Sequence, residues 1–288
     1  MNPPQTLTPL HLIATDEAPL RASAAGNLDC LLRAVLTIMQ DEHKPKSEAA
    51  NTGTLCHTGI ETWIKGSSLD ASVAAMEARQ VDFREARETL GDLKAATRWL
   101  EAYSADPRNA PLGVKPANPI HGIVRHVEAK VGLRIPASKD LDPTGRDVCV
   151  IGTLDQIRED DLGQLWLWDI KTGQIDPQKF APVQHLVQLV IYAAGASQML
   201  GRPVGIGGVI AVRGYHARNE DRQEVFRRVP IPHSTFPLVL EAIAERVGML
   251  RQGVVSPTIG KHCDSCFVSL GGPSECLPKL LEWTGRQR

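Results

Sequence analysis

The sequence has almost no charge imbalance: 32 Lys and Arg stand against 33 Asp and Glu in 288 residues, a formal net charge of −1. That balance excludes binding to a polyanion through bulk charge, so any nucleic-acid contact must come from a local basic patch. No stretch of about 18 apolar residues occurs, and a membrane-spanning helix is not expected. The opening, MNPPQTLTPLHLIATDEAPL, lacks the basic start and apolar run of a secretion signal. The expectation is a cytoplasmic chain, where cysteines are reduced, metal-bound or catalytic rather than disulfide-bonded. Internal repeats and low-complexity tracts are also missing. What is present is a composition that is 42% hydrophobic, enough for a full core in one large domain or two small ones.

The pattern along the chain suggests a mixed α/β domain with helical ends. Residues 1–20 read as an irregular segment, and residues 21–288 as a single domain. Leu28, Leu31, Leu32, Val35, Leu36 and Met39 fall at helical spacing. TLCHTGIETWIKG predicts a second helix entered through Gly53 and Thr54, and Leu69 to about Tyr103 a charged helical stretch. HGIVRHVEAKVGLRIP, RDVCVIGTLDQIRE and GQLWLWDIKTG read as three antiparallel strands. A helix over KFAPVQHLVQLVIYAAGASQML, a strand over RPVGIGGVIAVRG and a helix over TFPLVLEAIAERVGMLRQG follow. Helices, a strand meander, then helix and strand give a mixed sheet covered by helices.

Two carboxylates sit in the apolar strand pair. In a strand, alternate residues share a face, so Asp169 and Lys171 lie on the side of Leu165 and Leu167, away from Trp166, Trp168 and Ile170. The turn EDDLG centres near Leu162, and folding about that point sets Asp155 opposite Asp169. Directly opposed Cβ atoms are about 4.5–5.5 Å apart. Two carboxylates so close repel, and apolar surroundings raise the cost. A divalent cation of the Mg²⁺ or Mn²⁺ kind would remove it. Lys171 beside that ion could orient an attacking water or stabilise charge on a phosphate. A solvated hairpin with acidic residues facing water is the plain alternative, which the apolar flanks and matched register weaken.

Gly-x-x-Asp, a short hairpin and Asp-x-Lys together resemble the metal-binding core of the PD-(D/E)xK nuclease superfamily. Gln188 and Tyr192, one helical turn apart, match the Gln-x-x-x-Tyr motif of its RecB-like branch, and GTLCHTGIE resembles that branch's Gly-x-x-x-His helix. The resemblance implies a restriction-endonuclease-like core and a Mg²⁺ or Mn²⁺ ion held by His57, Asp155, Asp169 and the Ile170 carbonyl. It implies catalytic roles for Asp155, Asp169 and Lys171, with Gln188 and Tyr192 touching DNA or positioning the lysine. Glu128 matches a glutamate often found on the strand before Gly-x-x-Asp. The five motifs run in family order over residues 20–280.

Six cysteines are present, and Cys263, Cys266 and Cys276 form Cys-x2-Cys-x9-Cys. Soft thiolates clustered in one short segment suit a metal site. Cys30, His262, Cys56 and Cys149 are the possible fourth ligands; Cys56 and Cys149 read as buried thiols. In iron–sulfur nucleases of the RecB-like, Cas-four-like kind, one cysteine precedes the nuclease motifs and three follow. The resemblance therefore implies a [4Fe–4S] cluster on Cys30, Cys263, Cys266 and Cys276, joining the N- and C-terminal helical segments, although the x9 spacing is longer than usual there. Spacing alone leaves a structural Zn²⁺ with His262 open.

The reading these residues support is a metal-dependent DNA exonuclease that hydrolyses phosphodiester bonds at single-stranded ends, in repair, recombination, phage DNA processing or CRISPR adaptation. The alternative is a DNA-binding or assembly subunit of a helicase–nuclease or integrase complex with weak activity of its own. A zinc-stabilised structural protein on a dead nuclease fold is disfavoured by the intact Asp155, Asp169 and Lys171.

Overall fold

The computed structural model describes residues 12–31, 34, 47–142, 144–173, 183–216, 225–229 and 231–255. A two-residue strand, β1 (Leu20–Arg21), leads into a single helical turn, α1 (Ala22–Ala25), and a 3-10 turn over Gly26–Asp29. Cys30 then turns extended, with φ −127° and ψ 108°. The helix expected through Leu28 and Leu31 is therefore interrupted, and residues 35–46 lie outside the described chain.

Three helices follow, and each starts where a side-chain oxygen can cap it. Ser47 accepts from Ala50 N at the head of α2 (Glu48–Ile64), Ser68 from Ala71 N at α3 (Leu69–Glu85), and Asp92 from Ala95 N at α4 (Leu93–Ala105). Such caps satisfy first-turn N–H groups left without a helical partner. They explain two departures from the sequence pattern. The second helix begins at Ser47 rather than near Gly53, and Asp92 starts a new helix inside the predicted stretch from Leu69 to Tyr103.

The three expected strands form an antiparallel meander, β2 (Ile123–Ile135), β3 (Val148–Glu159) and β4 (Leu165–Lys171). Helix α5 (Val183–Leu200) crosses over to β5 (Val204–Ala211), which pairs parallel with β4. The short β6 (Phe226–Arg228) pairs antiparallel with β5, and α6 (Phe236–Arg251) closes the described chain. β1 joins β3 in parallel at the opposite end, so the sheet is mixed. β1 and β6 are too short for alternation to reveal them.

Helices cover both faces of this sheet. One apolar layer packs Leu133, Val150, Leu154, Ile157, Leu165 and Leu167 against α5, α6 and residues 13–31. The other packs Val124, Trp168, Ile170 and Ile210 against α2, α3 and α4. On β4 the split is strictly odd and even, as the pattern predicts. On β3 it is not: Leu154 and Ile157, three apart, both reach the first layer. On β2, Val127 packs in the second layer and Ala129 in the first. The alternation thus breaks at Glu128 and Asp155, and β5 also slips register beside Leu167 and Trp168 of β4. Irregular strands re-aim side chains, and here the break falls where the acidic residues lie.

Candidate functional site

The pairs Gln156↔Trp168, Ile157↔Leu167, Arg158↔Trp166 and Glu159↔Leu165 are symmetric about residue 162. The next pair in that register would be Asp155 with Asp169. At that point the Asp155 side chain takes over the bond between the strands, as Ile170 N–H donates to Asp155 Oδ2 at 2.5 Å. The carboxylate is thereby fixed to the adjoining strand by a charge-assisted hydrogen bond. Both acids are buried, Asp155 at 8% and Asp169 at 3% exposure.

His57 reaches the same point from α2. Its Nδ1 lies 3.0 Å from Glu128 Oε1 and 3.5 Å from Asp155 Oδ1. α2 comes this near because Gly53 has no side chain: a Cβ there would sit 2.9 Å from Thr172 Oγ1, just beyond β4. Glu128 arrives by strained backbone, with a φ of +46°, a region that L side chains occupy at a cost of about 1–3 kcal/mol. Potential ligand atoms of His57, Glu128 and Asp155 all fall within 4.8 Å of one another, the one such group among the described residues. Asp169 stands beside this trio and holds Lys171, whose Nζ is 2.8 Å from Asp169 Oδ2. Apart from that ion pair, the buried Oδ2 has no hydrogen-bond partner among the described residues.

The electrostatics follow from the crowding. Burial lowers the affinity of His57 for a proton, but the Asp155 charge and the Glu128 hydrogen bond outweigh it and push its pKa up to about 9. Burial raises Asp155; the His57 charge works the other way, while Asp169 and Glu128 add to the rise, which ends at about 7. For Lys171, burial is outweighed by Asp169 and Asp155, so its pKa goes up and it stays an ammonium. At neutral pH the imidazolium therefore does what a cation would do among these acids. An imidazole nitrogen and buried carboxylate oxygens from three strands, with Asp169 Oδ2 held only by the Lys171 ion pair among the described residues, form a donor set that fits an oxygen-preferring divalent ion.

Gln188 and Tyr192 of α5 are joined, Gln188 Nε2 donating to Tyr192 Oη at 2.9 Å. Burial lifts the Tyr192 pKa to about 12, with the charges of Asp155 and Asp169 adding to it, so the phenol stays neutral. Gly152 is needed here too, since a Cβ would meet Tyr192 Cε1 at 2.5 Å. Ile170 is buried; it supplies the N–H to Asp155 and lines a cavity of about 410 Å³ with His57, Glu128 and Lys171. Thr54 and Thr172 also line that opening, and no motif pointed to them.

Cys30, Cys56 and Cys149 are free and buried, and among the described residues none of them joins a group of potential metal ligands. Burial and the nearby Asp155 charge raise the Cys56 thiol to about 12, which makes it inert. Cys263, Cys266, Cys276 and His262 lie outside the described residues. Among the described residues no helix is long and apolar enough to cross a membrane.

The sequence profile of the PD-(D/E)XK nuclease superfamily matches residues 24–269. No curated protein matches by sequence. Among solved structures, the crystal structure of SSO0001 aligns at 14% identity with a TM-score of 0.35, over 82% of this chain and 91% of that one. A likeness so distant bears on neither fold nor function.

Proposed function

We propose, from the premise that this chain belongs to the PD-(D/E)XK nuclease superfamily, that it is a Mg²⁺- or Mn²⁺-dependent deoxyribonuclease of the RecB-like kind acting on single-stranded DNA ends. The observation that carries this is the convergence of His57, Glu128 and Asp155 within 4.8 Å, with the Asp169–Lys171 pair at their side. His57, Asp155 and Asp169 would hold the ion, with Glu128 as a further oxygen donor and the Ile170 carbonyl as a backbone one. Such an ion supplies Lewis-acid polarisation of a phosphate and lowers the pKa of water.

The chain's own residues do the rest. Lys171 stays charged beside Asp169 and orients the attacking water or neutralises charge building on the phosphate. Asp155 is fixed through Ile170 N–H, which keeps the carboxylate from swinging out as substrate enters. The Gln188–Tyr192 pair, joined by its own hydrogen bond, would meet the strand or brace the lysine. Hydrolysis of a labelled single-stranded oligonucleotide in Mn²⁺, lost in EDTA and in Asp155→Asn, tests the reading. Full activity in Asp155→Asn overturns it.

Support for a [4Fe–4S] cluster comes from the cysteine order, Cys30 before the motifs and Cys263, Cys266 and Cys276 after them. Iron and sulfide assays on protein purified without oxygen separate it from Zn²⁺ held with His262. The near-neutral charge of −1 favours a second reading for the cellular role, a subunit working beside a helicase or integrase in repair, recombination, phage DNA processing or CRISPR adaptation. Co-purification with such a partner distinguishes it from a lone enzyme.

A further inference from the structure

The sheet is incomplete beside the carboxylates. Along one edge of β3, β1 pairs at Val150 and Ile151, and β4 pairs from Gln156 to Glu159. Residues 152–155 between them pair with neither strand. β1 runs parallel to β3 and β4 antiparallel, so both arrive at this gap by their carboxyl ends: β1 stops there, and β4 parts from β3 while staying paired with β5 through Lys171. Crevices where strand ends diverge are where open α/β sheets take their ligands.

The gap opens onto a cavity of about 660 Å³ lined by Arg21, Ser23, Lys130, Ile151, Thr153 and Tyr192, among others, and none of its lining residues is acidic. In a chain of net charge −1 this is a local cationic patch. Lys130 and Thr153 are cross-strand partners, both exposed, and they present an ammonium and a hydroxyl side by side. Arg21 and Ser23 face them from β1 and α1. Tyr192 belongs to both regions: it lines this cavity and feels the charges of Asp155, Asp169 and Lys171. The second cavity, lined by His57, Glu128 and Lys171, opens beside the same carboxylates. The acidic cluster is thus flanked by two openings, the arrangement a chain substrate needs and a small one does not.

The geometry points to the gap between β1 and β4 as the seat of the nucleic-acid strand next to the scissile bond, with Lys130 and Arg21 on its phosphates and Ser23 and Thr153 as hydroxyl contacts. This rests on the nuclease reading for the chemistry, but the binding it describes can be measured alone. Exposed Ile151, 44% accessible, gives the sugar or base an apolar floor. Arg21 and Lys130 touch no reacting atom; they are positioning residues that act on the strand outside the bond that breaks.

The test uses the full-length protein and a fluorescein-labelled single-stranded 20-mer. In EDTA, anisotropy should show Lys130→Glu and Thr153→Asp weakening Kd about ten-fold, with Lys130→Arg close to wild type. The slope of log Kd against log salt should fall by about 0.7 in Lys130→Glu, one phosphate contact on a single strand. In Mn²⁺, KM for the oligonucleotide should rise in these variants while hydrolysis of bis(p-nitrophenyl) phosphate stays within about two-fold. Oligonucleotide affinity and salt slope unchanged in both Lys130→Glu and Thr153→Asp overturn the proposal, as does equal loss on the small diester. If wild type hydrolyses neither diester, the nuclease reading fails, and the anisotropy arm still decides the groove.

Discussion

Glu128 Oε1 lies 3.0 Å from His57 Nδ1, a contact between residues 71 apart in sequence, and Glu128 makes it from a backbone φ of +46°. The carboxylate is thus brought to the site by a conformation that costs about 1–3 kcal/mol, and a site that concentrates acids loses further stability to their repulsion. Glu128→Gly removes both costs and the hydrogen bond to His57. The thermal midpoint of the metal-free protein should hold steady or rise, while calorimetry shows weaker Mn²⁺ binding. A clear fall in the midpoint with metal affinity intact would mean that Glu128 is a structural partner of His57 and not a ligand.

Asp169 and Lys171 are a contact pair, yet their roles should separate. The lysine remains protonated and cannot donate a lone pair to a cation. Lys171→Ala should therefore keep or slightly strengthen divalent-ion affinity, since a competing positive charge leaves Asp169, and still remove most hydrolysis, on the order of 100-fold or more for lost electrostatic stabilisation. Asp169→Ala should lose both. Calorimetric titration with Mn²⁺ alongside oligonucleotide hydrolysis makes the comparison, and a collapse of metal affinity in Lys171→Ala equal to that in Asp169→Ala defeats the division of labour.

The β4 side of this site was legible in the sequence because β4 alternates strictly. Leu165 and Leu167 go one way and Trp168 and Ile170 the other, and the turn centre at 162 fixed the partner residues. Less legible was Glu128, since a positive φ in a non-glycine residue leaves no trace in a hydrophobic pattern. The same holds for β1, two residues long, which bounds the gap in the sheet yet has no periodicity to read. Helix starts were misplaced where Ser47 and Asp92 cap them, because apolar spacing marks a helix face and not its first turn.

The titration of His57 and Asp155 gives a pH signature. Both have folded-state pKa values above their ordinary ones, about 9 for His57 and about 7 for Asp155. A raised folded pKa means stability that is full below the ordinary value and lost as pH climbs through the folded one. The metal-free protein should therefore lose stability from these groups on going from pH 5 towards 9, and His57→Gln should flatten the upper part of that loss. Divalent-ion affinity should move oppositely, rising over the same range as the imidazolium gives up its proton to become a ligand. Melts in EDTA and in Mg²⁺ across this range check both signs. Metal-free wild type gaining stability relative to His57→Gln between pH 7 and 9 would contradict the ion cluster.

Arg251 of α6 secures the other end of the architecture. Its side chain is fully buried beside an equally buried Asp142, with which it pairs, and it donates to Ile13 O at 3.1 Å, Ala14 O at 3.0 Å, Arg146 O at 2.6 Å and Asp147 O at 3.2 Å. Through Ile13 and Ala14 it holds the segment that becomes β1, one wall of the gap in the sheet. Arg251→Met would leave a buried carboxylate without its cation and take a donor from four carbonyls, of which Ala14 O keeps another, Cys149 N–H, a loss of about 3–5 kcal/mol. Asp142→Asn beside it should restore part of that loss, because the uncompensated charge is then gone, so the double variant falls short of the sum of the two singles. Urea unfolding of the four proteins measures the coupling, and limited proteolysis of Arg251→Met should cut early near residues 13–16. A loss below about 1 kcal/mol, the scale of a surface pair, with no early cleavage, would show that β1 is held by its pairing with β3 and its apolar packing, without Arg251.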